Sequence, residues 1–206
     1  LLINSGQIER GVKLLDSLNW RDSLLGDFIL LALLENTPDF LEDRQRSKLV
    51  DFLQSYPRHP SWSRWALTYA DLLKQDTNLD QALIWYDRVW RSGSKLYARI
   101  AALEHARLHL TKDNQTEAVK DLLSLIKKNA KDDVALQAVL DLETLLLNSK
   151  SSESGIHQRV NILMRNCHTT MARNHLAYLL EHFPKSSFKA KYRYLIGRSY
   201  VLDGQF

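Results

Sequence analysis

His105 and His109, four residues apart in the run EHARLH, are the first pair in this 206-residue chain whose spacing could do chemistry. On a helix that spacing turns two imidazoles to one side, where both can hold one metal ion. The metalloprotease form of the motif needs a glutamate directly after the first histidine, and Ala106 stands there instead. Spacing alone places no third ligand. The expectation is therefore a pair of packed, half-buried histidines and no metal site. Cys167-His168 falls between two helical patterns. A metal there would need further ligands, so a free turn cysteine is expected. Glu35, Asp39, Glu42 and Asp43 surround one loop. A glycosidase needs two carboxyls held across a bond, one with a raised pKa, and a solvated loop does not supply that burial. With no Ser/Cys–His nucleophile pattern, P-loop or dinucleotide fingerprint, no catalytic residue and no cofactor are expected.

Aromatic residues concentrate at Trp62, Trp65, Tyr69, Trp85, Tyr86 and Trp90. Such faces can stack on sugar rings, but aromatic side chains dominate cores by area. Packing is the expectation for Tyr69 and Tyr86, and Trp62 and Trp90 are the better surface candidates. Lys127, Lys128 and Lys131 sit at a helix C-terminus, where the helix dipole favours cations.

The elements that carry these residues are helical nearly throughout. The hydrophobic fraction is 45% and the charged fraction 25%, with only 7 glycines and 4 prolines. That composition calls for an ordered chain of helices joined by short turns. Apolar residues recur at three- and four-residue spacing in almost every segment, which predicts about eleven helices and no strand. The segments are 8–18, 24–36, 43–56, 61–76, 80–92, 95–111, 116–129, 132–147, 156–166, 169–183 and 189–203. Ser61 and Asp132 or Asp133 are expected caps, and Thr77-Asn78 an expected turn. No apolar run reaches the roughly 18–20 residues that span a bilayer. A net charge of +4 and a pI near 9.1 permit acidic partners without calling for nucleic acid. One cysteine excludes an internal disulfide framework. The chain opens on Leu1-Leu2-Ile3 in mid-pattern and stops at Phe206 within a repeat. Residues 1–206 are thus expected to be one helical-repeat domain, cut from a longer chain at both ends.

Ala70, Leu73, Ala82, Tyr86 and Val89 follow one another as small, large, small, aromatic and small-apolar. Gly197, Tyr200 and Gly204 supply small residue, aromatic and turn glycine on the last helix. Residues 63–130 and 153–206 resemble tetratricopeptide repeats, helix hairpins with a period near 34 residues. The helix at 132–147 lacks an obvious partner. More narrowly, the chain resembles the N-terminal superhelical region of bacterial soluble lytic transglycosylases. Three pieces carry this: LLGDFILLALLEN at 24–36, LVDFLQSYPRHPSWSRWALTYADLL at 49–73, and HQRVNILMRN with ARNHLAYLLEHFPKSSFKAKYRYLIGRSY from His157 onward. The resemblance implies an all-α, antiparallel helix-hairpin superhelix beside a separate catalytic domain, with no match here to that domain's glutamate.

In that frame the inner face of the first helices lines a groove. It assigns Arg64, Asp71, Lys74, Arg107, Lys191, Tyr194 and Arg198 to it, five of them basic. Gly197 takes the close-contact position. A basic groove fits an acidic peptide or an anionic polymer such as peptidoglycan. Two functions from different classes follow as expectations. One is a non-catalytic scaffold of a peptidoglycan lytic transglycosylase, in the periplasm or cell envelope, with another domain of the same chain as partner. The other is a cytoplasmic protein–protein adaptor that binds an acidic peptide or assembles a complex.

Overall fold

The computed structural model describes residues 43–126, 132–145 and 152–204, together with Arg10, Leu14, Ser17, Gly26, Phe28 and Ala32. Those six isolated residues are helical. The described residues form α-helices joined by short turns and contain no strand. Nine helices are found among them: α1 Asp43–Ser55, α2 Trp62–Gln75, α3 Leu79–Ser92, α4 Lys95–Thr111, α5 Gln115–Ile126, α6 Asp133–Leu145, α7 Glu153–Arg165, α8 Thr169–His182 and α9 Lys189–Leu202. The count is nine rather than about eleven. The two further expected helices, at 8–18 and 24–36, fall almost wholly outside the described residues, as do Glu35, Asp39, Glu42 and the lysines at 127, 128 and 131.

Four helices end in the same way. Thr77, Asp113, Cys167 and Gly204 each stand two residues beyond a helix end and have φ of 60°, 57°, 57° and 69°. This is the left-handed cap that lets a chain turn back at once. In three of the turns the next amide donates to the carbonyl five residues earlier: Asn78 to Leu73, Asn114 to His109 and His168 to Leu163, each at 2.9 Å. Those bonds close α2 onto α3, α4 towards α5 and α7 onto α8. Glycine adopts the conformation freely, whereas the β-branched Thr77 holds it at a steric cost. Gly93 works differently. Its φ of −72° is ordinary, but a Cβ there would lie 2.4 Å from the Val89 carbonyl oxygen.

The chain divides into two compact units, residues 1–98 and 99–206, the division falling in the first turn of α4. In the first unit α2 packs on α1 and α3. Leu49, Phe52 and Leu53 from α1 are buried, and Ala66, Ala70 and Ala82 are fully buried between α2 and α3. Small side chains there let the helix axes approach. Trp62, expected at the surface, is only 7% exposed. Its indole N–H donates to the Leu53 carbonyl at 3.0 Å and so caps α1. Trp65, Trp85 and Tyr86 are buried too, with Tyr69 edge-on to Trp85 at 5.1 Å. Ser61 does not cap α2 with its side chain; its amide donates to His59 Nδ1 at 3.0 Å. The Arg46–Asp76 pair ties α1 to the end of α2.

In the second unit successive helices pack together from α5 to α9, and α5 also packs on α7. Asp132 is the cap of α6, accepting from the Ala135 amide at 2.9 Å and from Arg99 at 2.8 Å. Burial opposes its charge, but these donors outweigh it and hold the carboxyl below the usual range. Helix α7 begins at Glu153 rather than at the expected Ile156, because Ser152 accepts the Gly155 amide at 3.2 Å. Ile156, Val160, Leu176, Leu179, Tyr192 and Leu195 form the core shared by α7, α8 and α9. Among the described residues no helix is long and apolar enough to cross a membrane.

Candidate functional site

Helix α9 carries four cations, Lys189, Lys191, Arg193 and Arg198, and no acid. Its buried stripe is Tyr192, Leu195 and Ser199, at the three- and four-residue spacing that sets one face of a helix. Ile196 packs half-buried against the same core, and most of the remaining positions turn outward. Tyr194 is 65% exposed and Val201 56%, and Lys191, Gly197 and Arg198 are exposed as well. Gly197, expected at a close helix contact, has nothing within 4 Å of where a Cβ would stand. This outer face is therefore open, aromatic and basic. At its end, the Arg173 guanidinium lies 4.6 Å from the Tyr200 ring centroid and donates to Asp203 at 2.5 Å.

Behind that face a polar cluster joins α7 to α9. Glu153 accepts from the Tyr192 hydroxyl at 2.6 Å and from the Ser186 hydroxyl. Those donors, Ser186 first, hold the carboxyl below its usual range. Burial, followed by the bond to Glu153, pushes the Tyr192 phenol up to about 12. Lys191 Nζ lies 3.2 Å from His157 Nε2. Burial, and then the lysine charge, lower the His157 pKa. A cleft of about 420 Å³ lies alongside, lined by Glu153 and by residues His182 to Ser186. The Phe183-Pro184-Lys185-Ser186 run thus serves as a docking turn, with Ser186 holding Glu153 and receiving the Phe188 amide at 3.0 Å.

The seven residues expected to line a groove have separate settings. In the first unit Arg64 is exposed, with its guanidinium 5.2 Å from the Trp65 ring. Asp71 accepts from the buried Tyr86 hydroxyl at 2.6 Å, and Lys74 is half-buried. In the second unit Arg107 is committed to holding α4 on α6. It donates to Asp141 at 2.7 Å, to Glu104 at 3.0 Å and to Gln137 at 3.3 Å. The bond to Asp141 raises its pKa, against the effect of burial. Lys191 is tied to α7, not to α6. Arg107 and Lys191 thus bond to different helices of the second unit. Lys191, Tyr194 and Arg198 share the exposed part of α9.

The hairpin from α4 to α5 assembles another polar group. His105 Nδ1 lies 2.8 Å from Asp121 Oδ2, and the His105 and His109 rings meet edge to face at 4.6 Å. Asp121 is 5% exposed. Burial, then the neighbouring His105, lowers the His109 pKa and favours the neutral imidazole. The spacing of the histidines was legible, and Asp121 was missed. A usable signal exists, because His105 and Asp121 stand equally far from Asp113, the turn residue. Antiparallel helices bring such mirror-related residues together. For Asp141 and His157 the signal is the repeat period, since they stand 34 residues from Arg107 and Lys191.

No protein-family model and no curated protein matches the chain.

Proposed function

We propose that this chain is a non-catalytic, tetratricopeptide-like helical-repeat module that binds an anionic partner through the outer face of α9. The observation that carries the reading is the recurrence of one spacing in the tertiary bonds. Arg107 to Asp141 and Lys191 to His157 each join residues 34 apart. A stack of equivalent hairpins gives that recurrence, because each position meets its counterpart one repeat later. The repeated left-handed turns add to it. On this reading α6 stands as an odd helix in the alternation.

The partner's chemistry follows from α9. Exposed arginine and lysine attract anions, and exposed tyrosines offer flat apolar faces. Peptidoglycan, with carboxylates and sugar rings, combines both features. We therefore extend the proposal to the superhelical part of a cell-envelope lytic transglycosylase, as the sequence resemblance implies. An adaptor that takes an acidic peptide is the second reading, favoured by the run of four cations on α9.

Co-sedimentation of the purified chain with peptidoglycan sacculi, at low and physiological salt, tests the first reading. Arg198→Ala should weaken the retained fraction at low salt, and the difference should shrink as screening tightens to about 8 Å. The same chain should release no soluble glycan fragments. Retention of an acidic peptide without retention by sacculi would transfer the assignment to the adaptor. Retention of neither would end both readings.

A further inference from the structure

We propose that His105, His109 and Asp121 form a binding site for a divalent transition metal of the zinc class, which clips α4 to α5. The three side chains can each direct one ligand atom to a common point, all three atoms lying within 4.8 Å of one another. A tetrahedral ion with bonds of about 2.0–2.1 Å sets its ligand atoms roughly 3.3–3.5 Å apart. The His105–Asp121 separation of 2.8 Å lies below that value and the outer limit above it. Rotamer adjustments of about an ångström at each position therefore reach the geometry. The backbone already fixes the site from both sides. Two ligands stand one turn apart on α4, and the third is held opposite by the turn at Asp113.

The donor set selects the metal. Two imidazoles and one carboxylate suit zinc and its neighbours in the first transition row, whereas calcium and magnesium take six or more oxygen donors. The ligand set carries one negative charge against the two positive charges of the ion. Part of the desolvation cost of Asp121 is thereby offset. The surroundings keep the set available: Glu117, one turn before Asp121, is engaged by Lys120 at 2.9 Å. Coordination through His105 Nδ1 requires the neutral tautomer that carries its proton on Nε2. Three protein ligands leave a fourth position for water. A histidine pair clipped to the facing helix makes the stability of the second unit depend on metal.

The experiment uses the whole chain and Zn²⁺ alone. Calorimetric titration of metal-free protein should give one strong equivalent, and zinc should raise the melting temperature. His109→Gln, which leaves the His105–Asp121 bond in place, and Asp121→Asn should each weaken binding by at least about tenfold. His175→Gln, at a histidine paired with Glu143 instead, should bind as the parent does. Independently of any variant's folding, zinc should shift the ring ¹⁵N resonances of His105 and His109 and leave His175 unmoved. Absence of stoichiometric binding would overturn the assignment. So would unchanged affinity in His109→Gln, or ring shifts confined to other histidines.

Discussion

Replacing Tyr192 by phenylalanine removes the hydroxyl that bonds Glu153 and meets Ser186 without disturbing the packing around the ring. The ring is 1% exposed and sits among Ile156, Val160, Leu176 and Leu179, contacts that phenylalanine keeps. What disappears is the donor to Glu153, at 2.6 Å. A hydrogen bond to a charged acceptor contributes about 1.5–3 kcal/mol, and that is the expected loss near neutral pH. The pH dependence provides the sharper measurement. The phenol is pushed up to about 12 in the folded protein from a reference of 10.0. A folded-state pKa raised in this way adds stability that is complete below pH 10 and lost as pH rises through 12. At about 1.4 kcal/mol per pKa unit, that loss is on the order of 2–3 kcal/mol. Urea unfolding followed by tryptophan fluorescence, from neutral pH to beyond 12, should show that loss in the parent. Tyr192→Phe should start lower, lack this alkaline component and converge with the parent at the top of the range. Equal stability near neutrality, with the same alkaline loss in both proteins, would refute the argument. Glu153 acts at the other limb: its lowered pKa adds stability above its ordinary range, lost as pH falls through the folded value.

Two further outcomes can be checked by the same unfolding measurement. Gly93→Ala should destabilise by about 1–3 kcal/mol, because its Cβ would stand 2.4 Å from the Val89 carbonyl oxygen, while Gly197→Ala should stabilise by up to about 1 kcal/mol through helix propensity alone; the reverse order would contradict the packing described. A double-mutant cycle on Arg107→Ala and Asp141→Ala should give a coupling of about 0.5–2 kcal/mol, and a coupling of zero would show that the bond joining residues 34 apart does not hold α4 to α6.

Local chemistry made most of the helices legible. Apolar spacing marks α4 from Lys95 to Thr111 and α8 from Thr169 at the residues where they begin, because an amphipathic helix writes its period directly into the chain. Gly204 could be read as a terminator because its left-handed φ of 69° is the one conformation that glycine alone enters freely. Ser61 fails as a cap because its backbone is already helical, with φ −82° and ψ −3°, rather than in the extended region from which a capping hydroxyl reaches the first turn. Residue type cannot report that.

Which face meets which neighbour was decided only in three dimensions. Trp62 looked like a surface residue near a helix end, yet the loop from Tyr56 brings its indole onto the Leu53 carbonyl. Gly197 fits a close-contact position by type, but the helix is rotated so that Tyr192, Leu195 and Ser199 face the core. Arg107 reads as a groove cation until α6 presents Asp141 to it. His105 and His109 advertise their four-residue spacing, and Asp121 joins them only because the turn at Asp113 reverses the chain. The sequence by itself determined where the described residues are helical, since that follows from contacts within a few residues. Tertiary structure decided which charges are paired and which remain open, since that depends on helix rotation and on partners 16 to 34 residues away.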